Sequence, residues 1–283
     1  MTTTLPAAAA VAEHALHAAG VVVRPLDTLD RVLDAEALLG EVWRSPTKAP
    51  LSAEVMRAVE HAGGYVVGAY DDSPGSTRML AASSAFLALG PDGRVALHSH
   101  ISGVLAHAQG RRVGWALKLH QRAWCLERGI ETVTWTFDPL VRRNAWFNLA
   151  KLGAVGVEYL VDFYGPMSDG LNAGEPTDRL FTRWQLLAPE VVAAVGAVGA
   201  GAQPATGHLL LDERDGGPAP GRPAVPGERS LVRLPADVEA LRIAAPERAR
   251  AWRLAVRDVL APLVDRGARV TGMTGDGCLL VEP

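Results

Sequence analysis

Lysine is nearly missing from this chain: among 283 residues it occurs only as Lys48, Lys118 and Lys151. Arginine carries the positive charge instead, without forming a basic block, and the formal net charge is -3. Binding a nucleic-acid backbone needs clustered cations that displace counterions, so the composition argues against a nucleic-acid partner. Cysteine is scarce too. Cys125 and Cys278 are too few for a disulfide framework. Cys125 falls within a helical pattern and is expected as a packed core thiol, which fits a reducing compartment. Long apolar runs are lacking: EVVAAVGAVGAGA after Pro189 is too short and too rich in small residues to span a bilayer. The opening MTTTLPAAAAVAEHALHAAG has no basic n-region and is interrupted by Glu13 and His14, so it does not read as a signal peptide. No His/Cys cluster has metal-ligand spacing, and no metal is expected. Together these absences predict a cytoplasmic protein without a membrane partner.

What is present supports a substantial core, since 48% of the residues are hydrophobic. Residues 1–20 read as an Ala-rich helix or tail. Val21 to Leu26 reads as a strand, and Leu29, Val32, Leu33, Leu38 and Val42 then recur at helical spacing, with Asp27 or Thr28 as cap. Ser52 caps a second helix through His61. YVVGAY, MLAASSAFLAL and VALHSHISGVL follow as strands, separated by the turn-forming DDSPGST and LGPDGR. Next comes a helix from about Gly114 to Glu127, with Lys118, Gln121 and Arg122 largely off its apolar face. The alternating strand ETVTWTF follows, and then a helix in LVRRNAWFNLAKLG closed by Gly153. AVGVEYLVDFYG and TDRLFTRWQLL read as strands. A domain over 21–199 is expected, then a Pro/Gly-rich linker over 200–228. The remaining 229–283 form a small β-α-β-β extension. It is expected to pack on the main domain or on a second subunit in a homodimer.

One stretch carries a chemical question. QGRRVG, Gln109 to Gly114, lies between an apolar strand and a helix. It is either a tight turn or an anion cradle, because a helix start offers backbone N–H groups without intrahelical partners and a partial positive charge. Within the order β-α-α-β-β-β, loop, helix, strand, helix, it resembles the Q/R-x-x-G-x-G/A signature of the GCN5-related N-acetyltransferase (GNAT) superfamily, in the register Gln109, Arg112, Gly114. A second register, Arg111, Gly114 and Ala116, also satisfies the pattern but shifts the helix start. The resemblance covers about residues 20 to 187. It implies an α/β (α+β) fold with a mixed central sheet flanked by helices.

The resemblance further implies an acyl-CoA-dependent N-acyltransferase, with acetyl-CoA or another short acyl-CoA as cosubstrate. The cofactor would lie against Gly103, Val104, Leu105, Gln109, Gly110, Arg111, Arg112, Val113 and Gly114. The N–H of Val104 or Leu105 would polarise the thioester carbonyl. Direct transfer to a small amine or amino-acid-like acceptor is expected, without a covalent enzyme intermediate, since no Cys or Ser stands beside an evident base. Among the residues themselves, His98 and His100 share a face of one strand by period-two spacing, and His100 is the candidate base. The tyrosine that many family members carry as general acid would fall at Leu149, so it is missing. Asn148 adjoins that slot, Asn144 is a candidate for holding the pantetheine, and Tyr164 is the alternative proton source. Asp138 either caps the next helix or faces the acceptor. The polar loop SDGLNAGEPTDR carries Asn172 and Arg179 as candidates for acceptor recognition, and Arg179 suits a carboxylate. Arg112 in the place of the signature's middle glycine, together with the missing tyrosine, keeps a non-catalytic acyl-CoA-binding protein as the alternative.

Overall fold

The computed structural model describes residues 5–45, 49–90, 92–165, 167, 175–196 and 206–283. Chain contacts divide it into two compact units, one running to Thr134 and the other starting at Trp135. That division falls within the expected 21–199 domain, not at its edges.

The first unit opens with helix α1 (Leu5–Ala19), then β1 (Val21–Pro25), α2 (Leu29–Val42) and α3 (Ala53–His61). Thr28 caps α2 by accepting from the Arg31 N–H, and Ser52 caps α3 by accepting from Val55. Strands β2 (Tyr65–Asp71), β3 (Met79–Leu89) and β4 (Val95–Val104) follow. After a short 3-10 turn at Ala106–Ala108 come α4 (Val113–Glu127) and β5 (Thr132–Phe137). β1 to β4 pair antiparallel in sequence order, and the start of β5 adds parallel to β4. This is the mixed order that the GNAT resemblance implies. One face of the sheet carries the core of Leu26, Val32, Leu39, Met56, Val66 and Ile101, built by α2 and α3. The other faces α4, where the Tyr65 hydroxyl meets His120 Nδ1 at 2.9 Å. α1 also packs on α4, and Gln121 and Arg122 are buried, although the helical period sets them off the apolar face.

In the second unit, the helix expected after β5 is only four residues of α-helix, α5 (Arg142–Ala145). It widens into a π turn over Trp146–Lys151, where the Leu152 N–H reaches five residues back to the Phe147 carbonyl. Then come β6 (Val155–Leu160), β7 (Arg179–Gln185) and α6 (Pro189–Gly196). The expected linker is partly strand: β8 (His208–Arg214) and β9 (Gly217–Pro220) form a hairpin. Its two-residue turn, Asp215 and Gly216, has positive φ at both positions, the mirror-image turn that suits strand twist. β10 (Ser230–Arg233), α7 (Val238–Ala244), α8 (Pro246–Asp265), β11 (Arg269–Met273) and β12 (Cys278–Glu282) complete the chain. α7 was not expected from the sequence. From the end of β5, the strand neighbours run β7, β6, β11, β12, β10, β8, β9.

Leu39 is fully buried between α2 and the sheet. Leu39→Ala is expected to cost about 2–5 kcal/mol of unfolding free energy, with an unchanged urea m-value.

Candidate functional site

β4 sets the geometry of the first unit. Along β3 the register passes from Ser84↔Ile101 to Ala85↔Ser99, so His100 is an extra residue, a β-bulge. Period two alone therefore does not describe the pair of histidines. His98 stands opposite Phe86 and stacks on it at 5.0 Å, while the His100 ring lies 5.7 Å from Phe86 and 6.4 Å from His98. On its other side β4 pairs with β5 at Leu97↔Val133 and His98↔Thr134, and His98 Nδ1 meets Thr134 Oγ1 at 3.0 Å.

Beyond that point the backbone of β4 has an alternation to exploit. The Leu105 N–H donates to the Leu80 carbonyl at 3.0 Å. In an antiparallel ladder the neighbouring pair, Ala81↔Val104, is then the one that does not exchange bonds, and the Val104 N–H points to the side away from β3. Of the two expected thioester donors, Leu105 is thus already engaged in the ladder, and Val104 is the one whose N–H is directed outward. The Val104 carbonyl accepts from Gln109 Nε2 at 3.4 Å, which folds the loop back over the strand end.

Several residues of the loop and strand end have roles within the fold. Gly103 is explained by packing: a Cβ there would lie 2.8 Å from Trp43 and 3.0 Å from Leu39. Gly110, at φ +82°, is explained by its backbone. The Arg111 guanidinium turns toward Asp71 and the Ala19 and Gly20 carbonyls, each at 3.4 Å, so its side chain ties the loop to the body of the unit. Arg112 caps α4 at φ +64°, a left-handed conformation that glycine adopts without the steric cost an L side chain carries. Val113 and Gly114 open the helix, and the Ala116 N–H makes the first bond back, to the Arg112 carbonyl. Gly114 alone has no structural explanation. Its φ is not left-handed, and a Cβ would meet only Val104 Cγ2, at 3.8 Å.

One cluster has no counterpart among the residues singled out from the sequence. Lys118 Nζ donates to Ser99 Oγ at 2.8 Å and to Gln121 Oε1 at 3.0 Å. Burial pushes the ammonium down to about 7. The visible signal was one of three lysines placed in mid-helix. Burial, and then the fields of His100 and Lys118, push His98 down to about 4; burial lowers His100 as well. Cys125 is a core thiol, pushed up to about 12 by burial.

The other predicted residues belong to the second unit. Asp138, expected either to cap the next helix or to face the acceptor, is buried, and its Oδ1 accepts from the Leu140 N–H at 3.0 Å, as a capping role asks, and from Arg253 at 2.7 Å. Its Oδ2 accepts from Arg253 at 2.7 Å and Arg242 at 2.6 Å. Burial alone would raise this carboxyl, but the two guanidiniums hold it well below the usual carboxylate range. Arg179 is buried, donates to the Asp178 carbonyl at 2.9 Å and lies 5.3 Å over the Tyr164 ring. The Tyr164 hydroxyl meets Thr136 Oγ1 at 3.1 Å. Asn144 is half-buried in α5, and Asn148 is buried in the π turn. Leu149, in the slot of the family's tyrosine, is a core side chain. Asn172 lies outside the described residues. Among the described residues, no group of three His, Cys, Asp or Glu could hold a metal ion, and no helix is long and apolar enough to cross a membrane.

No protein-family model and no curated protein matches the sequence. Among solved structures, the chain is similar to the NatC complex bound to Gag peptide and CoA, at 17% identity and a TM-score of 0.43, over 58% of this chain and 98% of that one. It is similar to Chaetomium thermophilum Naa20 in complex with a bisubstrate analogue, at 15% identity and a TM-score of 0.45, over 58% and 86%. A histone acetyltransferase HPA2 and related acetyltransferase from Corynebacterium glutamicum is similar at 18% identity and a TM-score of 0.43, over 60% and 98%.

Two measurements test this geometry. Arg112→Gly should stabilise the chain by about 1 kcal/mol in urea unfolding, because the left-handed conformation loses its side-chain penalty. For His98 the folded-state value lies below the unfolded one, so the unfolded chain binds the proton first as pH falls. Stability should therefore drop between about pH 6.5 and about pH 4, and His98→Gln should flatten that part of the profile.

Proposed function

We propose that the chain is an acyl-CoA-dependent N-acyltransferase that transfers a short acyl group directly to a small amine or amino-acid-like acceptor. Gly114 carries this reading. Glycine is a poor helix residue, by about 1 kcal/mol against alanine in a helix interior, and neither backbone nor packing asks for it here. A ligand approaching the N-terminus of α4 does ask for it, since a pyrophosphate needs the N–H groups of the first turn unobstructed. The outward Val104 N–H, one strand-end away, supports the placement of the thioester carbonyl there.

In this reading the pyrophosphate rests on the start of α4 and the thioester oxygen accepts from the Val104 N–H, which stabilises the negative charge that develops on it. A neutral amine attacks the carbonyl carbon, the C–S bond breaks, and an amide and CoA thiolate result. The proton lost by the amine ends on the thiolate. His100, an exposed imidazole whose pKa partial desolvation lowers, is the proposed base for the amine. Ser99 stands beside Lys118, but it is buried, which supports direct transfer over an acyl-serine intermediate. The second reading, an acyl-CoA binder without turnover, is favoured by Leu149, which puts an apolar core side chain where the family's general acid would be.

A thermal-shift series with CoA, acetyl-CoA and succinyl-CoA tests the reading. A ligand at about 100 times its dissociation constant should add about 2.7 kcal/mol of stability. Gly114→Ala should be at least as stable as the wild type, by up to about 1 kcal/mol, while losing at least about tenfold in CoA affinity, because its methyl group enters only ligand space. Release of free thiol with an amine distinguishes the enzyme from the binder. Absence of any shift with CoA and with both thioesters would sink both.

A further inference from the structure

The bulge at His100 has a counterpart on α4. Ser99 and Val104 are an odd number of positions apart, so in a regular strand they would face opposite sides of the sheet. Here both face α4. Val104 Cγ2 is the atom that a Cβ at Gly114 would meet, at 3.8 Å, and Ser99 Oγ accepts from Lys118 Nζ at 2.8 Å. The extra residue at His100 resolves the parity, since the register along β3 passes from Ser84↔Ile101 to Ala85↔Ser99. Gly114 and Lys118 are one turn apart in α4, so a single face of that helix meets β4 on both sides of the bulge. All of these groups lie in the first unit, together with His100 and the Val104 N–H.

The two contacts differ in kind. Gly114 has no side chain, so the start of α4 rests against Val104 with nothing to fix its position. Lys118 supplies a directed bond one turn further on, and Gln121 Oε1 holds the same ammonium at 3.0 Å. Burial pushes that ammonium down to about 7, so keeping it here has a cost. An unbranched apolar side chain such as methionine would fill the space without the cost, but it could not single out Ser99 from its neighbours. On the other edge of β4, β5 pairs at Leu97 and His98, short of the bulge, and so does not fix its register.

We propose that Lys118 is a positioning residue for acyl transfer: by holding Ser99 against α4 it locks the bulge at His100. This rests on the acyltransferase reading above. A bulge that migrated past Val104 would shift the residues between by one position against β3, and a shift of one exchanges the two directions of N–H along a strand. The Val104 N–H would turn toward β3, and the thioester oxygen would lose its donor. His100 would leave its place beside Phe86. The lock thus acts on the oxyanion donor and the base together, while the start of α4, where the pyrophosphate rests, stays as it is.

The test uses the full chain with Lys118→Met, Ser99→Ala and the two combined. Lys118→Met keeps the reach of the side chain without its charge. Ser99→Ala is the milder change, because the bond from Lys118 to Gln121 remains. Amide hydrogen exchange is followed by NMR at residues 100–104 and 116–127, with CoA affinity by calorimetry and thiol release from acetyl-CoA with free amino acids as acceptors. In each variant, exchange at 100–104 should accelerate at least about tenfold while 116–127 stays unchanged. The kcat should fall on the order of 100-fold, the cost of misplacing a group by about 1 Å, with CoA affinity preserved. The double variant should lose no more than Lys118→Met alone, because both changes remove the same bond. Unchanged exchange at 100–104, wild-type kcat, additive losses, or a loss of CoA affinity equal to that of kcat would each overturn the proposal. A wild-type chain that binds no CoA ester, or binds one without turnover, overturns the acyltransferase reading instead, and the exchange at 100–104 then decides the lock by itself.

Discussion

Backbone N–H and C=O groups need partners, and a strand satisfies them only by having neighbours on both sides. β4 has β3 along its whole length, but β5 pairs with it only at its start, at Leu97 and His98. Much else in the first unit follows from this half-paired strand. The bulge at His100 re-aims the side chains where the second neighbour is lost. The outward groups at Val104 need an acceptor or donor that is not strand, and Gln109 supplies a part of it. The chain then has to turn from strand to helix within a few residues, which uses the positive φ of Gly110 and, less comfortably, of Arg112.

The second unit depends on a different constraint. A buried carboxylate that loses its water must find matching donors, or its desolvation outweighs everything it gains. Asp178 is fully buried and Asp138 nearly so, and the donors for both come mainly from α7 and α8. Such pairs are weak evidence for stability, because an apolar replacement of the same shape can serve as well. Their geometric content is greater: the planar guanidinium of Arg253 leaves the Asp138 carboxylate one orientation.

Local patterns carried much of this fold in the sequence. Thr28 and Ser52 marked their helix starts, and the alternation in ETVTWTF marked β5. The Asp-Gly pair at 215–216 was a readable hairpin signal, obscured by the prolines and glycines around it. The bulge at His100 was not legible, since it depends on which residue of β3 stands opposite. The π turn was hidden in the same way, because Trp146 to Lys151 have ordinary helical composition. Of the candidate site, the cradle at Gln109 to Gly114 was legible as a loop entering a helix, but the reasons for its individual glycines were not. Gly103 serves Trp43, some 60 residues away, and only the packed structure can say so. The capping role of Asp138 was legible from the residues that follow it, but nothing local indicates that Arg253, 115 positions further on, pairs with the same carboxylate.

The lysine at position 118 has a consequence for the molecule as a charged body. The formal net charge of -3 counts it as fully protonated. Burial pushes its ammonium down to about 7, so near neutral pH the mean charge is more negative than the formal value by a part of one unit. Anything that docks near Ser99 and alters the local field shifts that part. Docking then exchanges a fraction of a proton with the buffer, and the heat of association depends on which buffer takes it up. A side chain that never leaves the interior thus makes the thermodynamics of this face sensitive to the composition of the solution outside.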